Sequence, residues 1–229
     1  MNIVAIIPAR KSSKGLKNKN IYPLLGKPLI NWTIDSVLNS KYINDIYVTS
    51  DSEKIEKYVL QYDINFLKRP SKLAKDDSNI VDVIIHALEQ ILKKKNFDFL
   101  ILLQPTSPLR NTLHIDNAIS SLINTNATSL ISVVKQDNKL LKSFFLENTS
   151  IFLKALNNSK FQFSNRQSLP NMYMPNGAIY IVNVQDFLNN KSFFTNKCIP
   201  FLMSKKHSID IDNYLDILKI ENILNKSIL

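Results

Sequence analysis

Ten residues, Arg10-Lys11-Ser12-Ser13-Lys14-Gly15-Leu16-Lys17-Asn18-Lys19, hold five cations and no anion, and Asn20 closes the run. Cations at this density suit phosphate oxygens, with serine hydroxyls and loop amides as further donors. The Gly-x4-Gly-Lys-Ser/Thr spacing of a P-loop is absent, and alone the stretch also reads as a solvated basic loop. A second stretch is acidic, Ser208-Ile209-Asp210-Ile211-Asp212. If Ile209 and Ile211 face a core, an alternating backbone turns both carboxylates to the other side. Paired carboxylates are hard ligands that suit Mg2+ completed by substrate phosphates, though acidic pairs are also common on surfaces.

Two further stretches offer recognition rather than charge. In Leu102-Leu103-Gln104-Pro105-Thr106-Ser107-Pro108-Leu109-Arg110 a neutral amide follows an apolar run, placed to read hydroxyls or a base edge. Its prolines favour a preorganised loop. Pro175-Asn176-Gly177-Ala178-Ile179-Tyr180 carries one of only three glycines in the chain, where average usage would give about sixteen. A chain this sparing with glycine keeps it where a side chain has no room, and both Gly15 and Gly177 fall inside these stretches. The four stretches together compose a phosphoryl-type transfer site, which needs alignment and charge stabilisation above all.

The elements that must hold these residues alternate. Apolar runs at Ile3–Pro8, Ile46–Thr49, Ile64–Leu67, Phe97–Leu103, Leu130–Val134 and Ala178–Val182 read as strands. Helical spacing recurs at Leu29–Leu38, Ile55–Tyr62, Ile80–Ile91, Ile115–Ile123 and Ile217–Leu224. Asp77 or Ser78 is the expected cap of the third helix. The alternation predicts an α/β fold, a mostly parallel sheet with helices on both faces, and places the basic loop at a strand's carboxyl end. Residues from about 136 to 170 break the rhythm and read as an insertion, whose Phe144, Phe145 and Phe152 suit either a dimer surface or a lid.

Composition narrows the function classes. The 229 residues, 45% hydrophobic, are enough for one α/β domain. Apolar runs of four or five residues fall far short of the roughly 20 that a membrane span needs. The start Met1-Asn2-Ile3-Val4 gives no expectation of a secretory signal. Cys198 is the single cysteine, which excludes an intramolecular disulfide and points to the cytoplasm. The net charge of +10 favours anionic partners, but 24 of the 29 lysines and arginines are scattered outside the basic loop. No aromatic-interleaved basic stripe or helix-turn-helix pattern supports nucleic acid, although a basic nucleic-acid-binding module stays open as the contrasting class.

In order, Ile7-Pro8-Ala9-Arg10 with Ser13-Lys14-Gly15 and Lys19-Asn20, Arg69-Pro70 with Leu73-Ala74, Leu103 to Arg110, Arg166-Gln167 with Leu169-Pro170, Pro175 to Ile181, and Ser208 to Asp212 resemble the acylneuraminate cytidylyltransferases, the CMP-sialic acid synthetases. The resemblance implies a Rossmann-like domain of residues 1–135 and 171–229 with a dimerisation insertion at 136–170. It implies that CTP reacts with a nonulosonic acid, N-acetylneuraminate first among them, to give the CMP-sugar and pyrophosphate for surface glycans. Carried over by position, Arg10, Ser13, Lys14, Lys19, Asn20 and Arg69 contact the nucleotide, with Arg10, Lys19 and Asp212 catalytic. Asp210 and Asp212 hold Mg2+, with Mn2+ as its substitute. Gln104, Asn176, Tyr180, Phe193 and Phe194 line the sugar pocket. Lys142 and Arg166 reach the partner's site in a homodimer, and neither nucleic acid nor membrane is a partner.

Two departures stand out. The glycine pair common in the family before Ser13 is here Lys11-Ser12, and Met174 stands where some relatives carry arginine. The second leaves legionaminate or another nonulosonate open as acceptor. A deoxyoctulosonate acceptor fits the Arg166 to Tyr180 stretch less well.

Overall fold

Strand β1 (Ile3–Pro8) is buried along its first five residues, and its alternation divides them between two cores. Ile3, Ala5 and Ile7 join a cluster with Ile30, Ile34 and Val37, Ile55 and Val59, and Ile115, Ala118, Ile119 and Leu122. Val4 and Ile6 point the other way, to Ile84, Ala87, Leu88, Ile91, Val184 and Phe187. A strand apolar on both faces can satisfy itself only between two layers of helices, as the unbroken run predicts. A computed structural model describes residues 1–156 and 161–226 of the chain.

The other strands are β2 (Asp45–Ser50), β3 (Asn65–Lys68), β4 (Phe99–Leu102), β5 (Ser129–Gln136), β6 (Met172–Asn183) and β7 (Cys198–Leu202). They form one sheet in the order β7-β5-β6-β4-β1-β2-β3. Every pairing in it is parallel except those of β6, which runs antiparallel to both β4 and β5. The mostly parallel sheet read from the sequence is therefore present. Helices α1 (Leu29–Leu38), α2 (Glu53–Val59) and α4 (Thr112–Thr125) cover one face; α3 (Ile80–Ile91) and α5 (Val184–Asn190) cover the other. Helix α6 (Tyr214–Asn225) buries Ile217 and Ile220 against Leu24, Leu29, Leu109 and Ile211, a third core that seats the acidic stretch.

Some expectations need correction. The cap of α3 is Asn79, whose side chain accepts from the Val81 amide, not Asp77 or Ser78. Asn79 is as good a cap and directly precedes the first periodic residue, so the two residues before it stay in the loop. The acidic stretch is irregular rather than a strand, yet Ile211 is fully buried and Ile209 packs in the same cluster, as alternation required. Strand β7 and helix α5 were not anticipated; Pro200 lies inside β7, which tolerates it as an edge strand. Within 136–170, Phe144–Phe145 and Lys154–Ala155 form a two-stranded ribbon. Residues 157–160 of that expected insertion lie outside the described residues.

Candidate active site

Strands β1, β2, β3 and β4 end their chains at one edge of the sheet, and the basic loop starts there, at Arg10. Open α/β sheets bind ligands at this edge because successive loops diverge and leave a crevice. Here the crevice is a cavity of about 310 Å³, with Arg10, Ser13, Lys19, Asn20, Arg69, Gln104 and Asp210 among its lining residues. Seven of the predicted residues, from four separate stretches of sequence, thus share one cavity.

The cationic wall is fixed from behind. Asn20 is buried and donates through Nδ2 to the Arg10 carbonyl at 2.9 Å, which ties the two ends of the loop. Arg69 is buried beside the end of β2 and donates to the Thr49 carbonyl at 3.3 Å. Burial holds its guanidinium below the usual range, Asp51 pulls it back up, and Arg10 pushes it down. Lys19 donates through Nζ to the Ile211 carbonyl at 2.6 Å and to Asp212 Oδ1 at 3.3 Å. The basic loop therefore rests on the acidic stretch.

Gly15 explains how the two approach so closely. A Cβ there would lie 2.1 Å from the Asp212 carbonyl oxygen, so no side chain fits. Gly177 plays the corresponding part on the other side. Its φ is +77°, and a Cβ would lie 3.0 Å from Gln104 Oε1 and 3.7 Å from Asp210 Oδ1. The position falls where the pairing of β6 with β5 loses register between Pro175 and Tyr180, a bulge that turns the chain toward the site.

The two carboxylates differ. Asp212 is exposed, while Asp210 Oδ1 is sealed and has no hydrogen-bond partner among the described residues. Burial pushes the Asp210 carboxyl up to about 6, against a hydrogen bond from the Thr106 side chain and with a further push from the Asp212 charge. A sealed carboxylate oxygen with no partner fits a hard cation, because such a group is costly to bury alone. Among the described residues no cluster of three or more acidic, histidine or cysteine side chains offers a complete metal shell. Two carboxylates plus substrate oxygens is the donor set that magnesium takes.

The remaining predicted residues lie elsewhere. Lys14 is exposed and pairs with Asp76 at 3.7 Å. Tyr180 does not line the cavity; burial, then the Asp210 charge, raises its phenol, and a Gly177 backbone bond opposes them. Phe193 stacks on Tyr180 and Phe187 with ring centres 5.6 and 4.9 Å away, so it braces Tyr180, whereas Phe194 is exposed. Asn176 is buried and accepts from Ser132 Oγ at 2.6 Å while donating to Ser208 Oγ at 2.9 Å. Its amide ties β6 to β5 and to the turn before Asp210. Lys142 and Arg166 line none of this cavity; Arg166 sits 3.8 Å from Asp137 in a separate depression.

One residue of the Gln104 stretch gains a role that sequence reading did not assign. Arg110 is fully buried and donates to the carbonyls of Gln104 and Ala178 and to Thr33 Oγ1, at 3.0, 2.9 and 2.6 Å. It ties the loop after β4 to the bulge of β6 and to α1. The signal was its place at the end of a rigid, proline-bounded loop, where a charge needs a reason.

Residues 4–214 match the family described as Cytidylyltransferase. The chain belongs to the cytidylyltransferase family. It is 38% identical over 217 residues to an N-acylneuraminate cytidylyltransferase of Escherichia coli O18:K1:H7, covering 93% of this chain and 50% of that protein. It is 33% identical to a CMP-N,N'-diacetyllegionaminic acid synthase of Legionella pneumophila, covering 94% of this chain and 93% of the relative. The chain thus spans about half the length of the first of these relatives and nearly all of the second. In fold it is similar to a CMP:2-keto-3-deoxy-manno-octonic acid synthetase complexed with CTP, with a TM-score of 0.73 at 15% identity over 99% of this chain and 100% of that one. For this cytidylyltransferase-family chain no helix among the described residues is long and apolar enough to cross a membrane.

Proposed function

We propose that this chain transfers CMP from CTP to the anomeric hydroxyl of N-acetylneuraminate and releases pyrophosphate. The observation that carries the reading is one cavity lined by Arg10, Lys19 and Arg69 together with Asp210, whose Oδ1 is sealed and without a hydrogen-bond partner among the described residues. The relatives named for N-acylneuraminate support the choice of sugar.

The hydroxyl oxygen attacks the α-phosphorus of CTP, the bond from that phosphorus to the α–β bridging oxygen breaks, and pyrophosphate leaves with the electron pair. Arg10, Lys19 and Arg69 hold the phosphates in line and offset the charge that grows on the leaving group. Asp210 and Asp212 would hold Mg2+, with Mn2+ as a substitute; when bound it would neutralise phosphate charge and lower the pKa of the attacking hydroxyl. The exposed carboxylate of Asp212 takes the hydroxyl proton, and Asp212→Asn with near-normal turnover at saturating Mg2+ would remove that role. Gln104, with Tyr180 braced by Phe193, orients the sugar, and Asn176 holds their frame. Ser13, Lys14 and Asn20 complete the nucleotide contacts.

The acceptor side gains Lys142 and Arg166 from a second copy. Residues 136–170 form the dimer contact, which the exposure of Phe144, Phe145 and Phe152 supports. The reaction belongs in the cytoplasm, where CTP is made, and its product feeds a capsule or other surface glycan. A second reading, the same chemistry on legionaminate, rests on the Legionella relative and on Met174, exposed on β6 where a charged partner for the sugar carboxylate is missing. The test is pyrophosphate release from CTP and Mg2+ with N-acetylneuraminate, legionaminate, deoxyoctulosonate or no sugar. Release that requires N-acetylneuraminate supports the first reading, and release only with legionaminate selects the second. No release from folded protein with any sugar refutes both.

A further inference from the structure

The cavity contains an anion of its own. Asp76, from the loop between Leu73 and α3, lines the cavity and accepts from Arg10 Nη1 at 2.6 Å, with Lys14 Nζ 3.7 Å from its other oxygen. Two cations of the basic loop are thus held by a carboxylate that belongs to the protein. Lys75, Arg69 and Lys19 line the same cavity, so Asp76 shares it with four cations, Arg10 among them. The pair lies at the rim rather than in the interior, the Arg10 and Asp76 side chains being 30% and 37% exposed.

We infer that Asp76 is a positioning residue that stands in for phosphate in the free enzyme and competes with it during turnover. The inference rests on the reading of this cavity as a nucleotide phosphate site. Asp76 holds Arg10 at the cavity, as a phosphate would, and draws the exposed Lys14 toward the rim. An entering triphosphate must take the Arg10 donor from Asp76 or lie against a like charge, and the product pyrophosphate faces the same competition in reverse. The carboxylate therefore weakens anion binding and speeds departure of the product, so that phosphate affinity is limited from within the site. An exposed ion pair of this kind contributes little to stability, which lets it exchange for a ligand.

The test is binding of inorganic pyrophosphate by calorimetry to the wild type, Asp76→Asn, Asp76→Glu and Asp77→Asn. Asp77 is exposed and carries the same charge one residue away, so its variant controls for the general field. Asp76→Asn is expected to bind pyrophosphate about threefold to tenfold more tightly, the scale set by losing one partly exposed ion pair together with one like charge. Inhibition by pyrophosphate should strengthen by the same factor, and KM for CTP should fall along with kcat. Asp76→Glu and Asp77→Asn should stay within about twofold of the wild type on the same scale. Weaker binding by Asp76→Asn would show that Asp76 only braces Arg10, and equal tightening by Asp77→Asn would reduce the effect to net charge; either overturns the inference. A wild type that binds CTP and pyrophosphate, with Asp76→Asn unchanged, overturns the inference and leaves the phosphate site standing. A wild type that binds neither overturns both.

Discussion

The cavity at the sheet edge and the segment 136–170 both carry cations, yet they are built in opposite ways. At the cavity several lining residues are held from behind. Asn20 holds Arg10, Thr49 holds Arg69, Ile211 holds Lys19, and Arg110 holds the Gln104 loop. In the segment, among the described residues, Arg166 pairs with an exposed Asp137 at 3.8 Å, and Phe144, Phe145, Phe152 and Phe163 face solvent. Catalytic geometry has to be held to within a fraction of an ångström, and the cavity shows such holding. The lesson is that the cavity is supported by the chain's own backbone and buried side chains, whereas the segment presents exposed side chains to solvent.

That contrast can be broken or sharpened by experiment. The largest effect is expected at the cavity, where Lys19→Ala should lower kcat/KM for CTP by about a hundredfold to a thousandfold, as removal of one transition-state donor does. Pyrophosphate release under steady-state conditions reads it, and a loss under fivefold would show that the cavity is not the phosphate site.

Next comes a stability effect with a defined sign. Asp210 has a folded-state value near 6 against 3.8 for the free group. Between those values the folded protein keeps a proton that the unfolded chain has lost, so stability falls as pH rises through the window and the full cost stands above it. Without added metal, Asp210→Asn should therefore gain on the wild type by about 2 kcal/mol between pH 4 and 7.5, read by urea unfolding. Equal pH slopes for the two proteins would mean that Asp210 is not held neutral by burial.

A third test concerns the close approach of loop and acidic stretch. Gly15→Ala must move the Asp212 carbonyl, which overpacking values put at about 1–3 kcal/mol, and a matching loss in kcat/KM is expected. Retention of full activity would show that the basic loop does not depend on this contact. The smallest effect on the fold belongs to Arg166→Ala, whose melting temperature should stay within about a degree of the wild type because its ion pair is exposed. If a second copy uses Arg166, KM for the sugar should rise about tenfold while KM for CTP holds, on the scale of one charge-assisted contact. A rise in both constants together would count against that division.

The sequence disclosed the sheet because β1 and β4 are apolar on both faces, a pattern few other structures can use. Charge marked the stretches: five cations after a strand suit phosphate and two carboxylates alternating with isoleucines suit a metal, but the direct meeting of Lys19 with Ile211 and Asp212 was not read from the sequence. What stayed hidden depended on neighbours distant in the chain. Nothing near Asp76 says that it faces Arg10, 66 residues away. Phe193 read as a pocket residue by resemblance, and only its stacking on Phe187 shows that it belongs to the core layer. Strand β7 escaped notice because Pro200 argues against a strand, and only its place at the sheet edge removes the objection.

Arg110 has one more consequence. Its partners are two carbonyls and a hydroxyl, none of which titrates in water at ordinary pH. A carboxylate partner would release it in acid; these will not. The tie between the Gln104 loop, the bulge of β6 and α1 therefore holds across the range in which Asp210 gains or loses its charge.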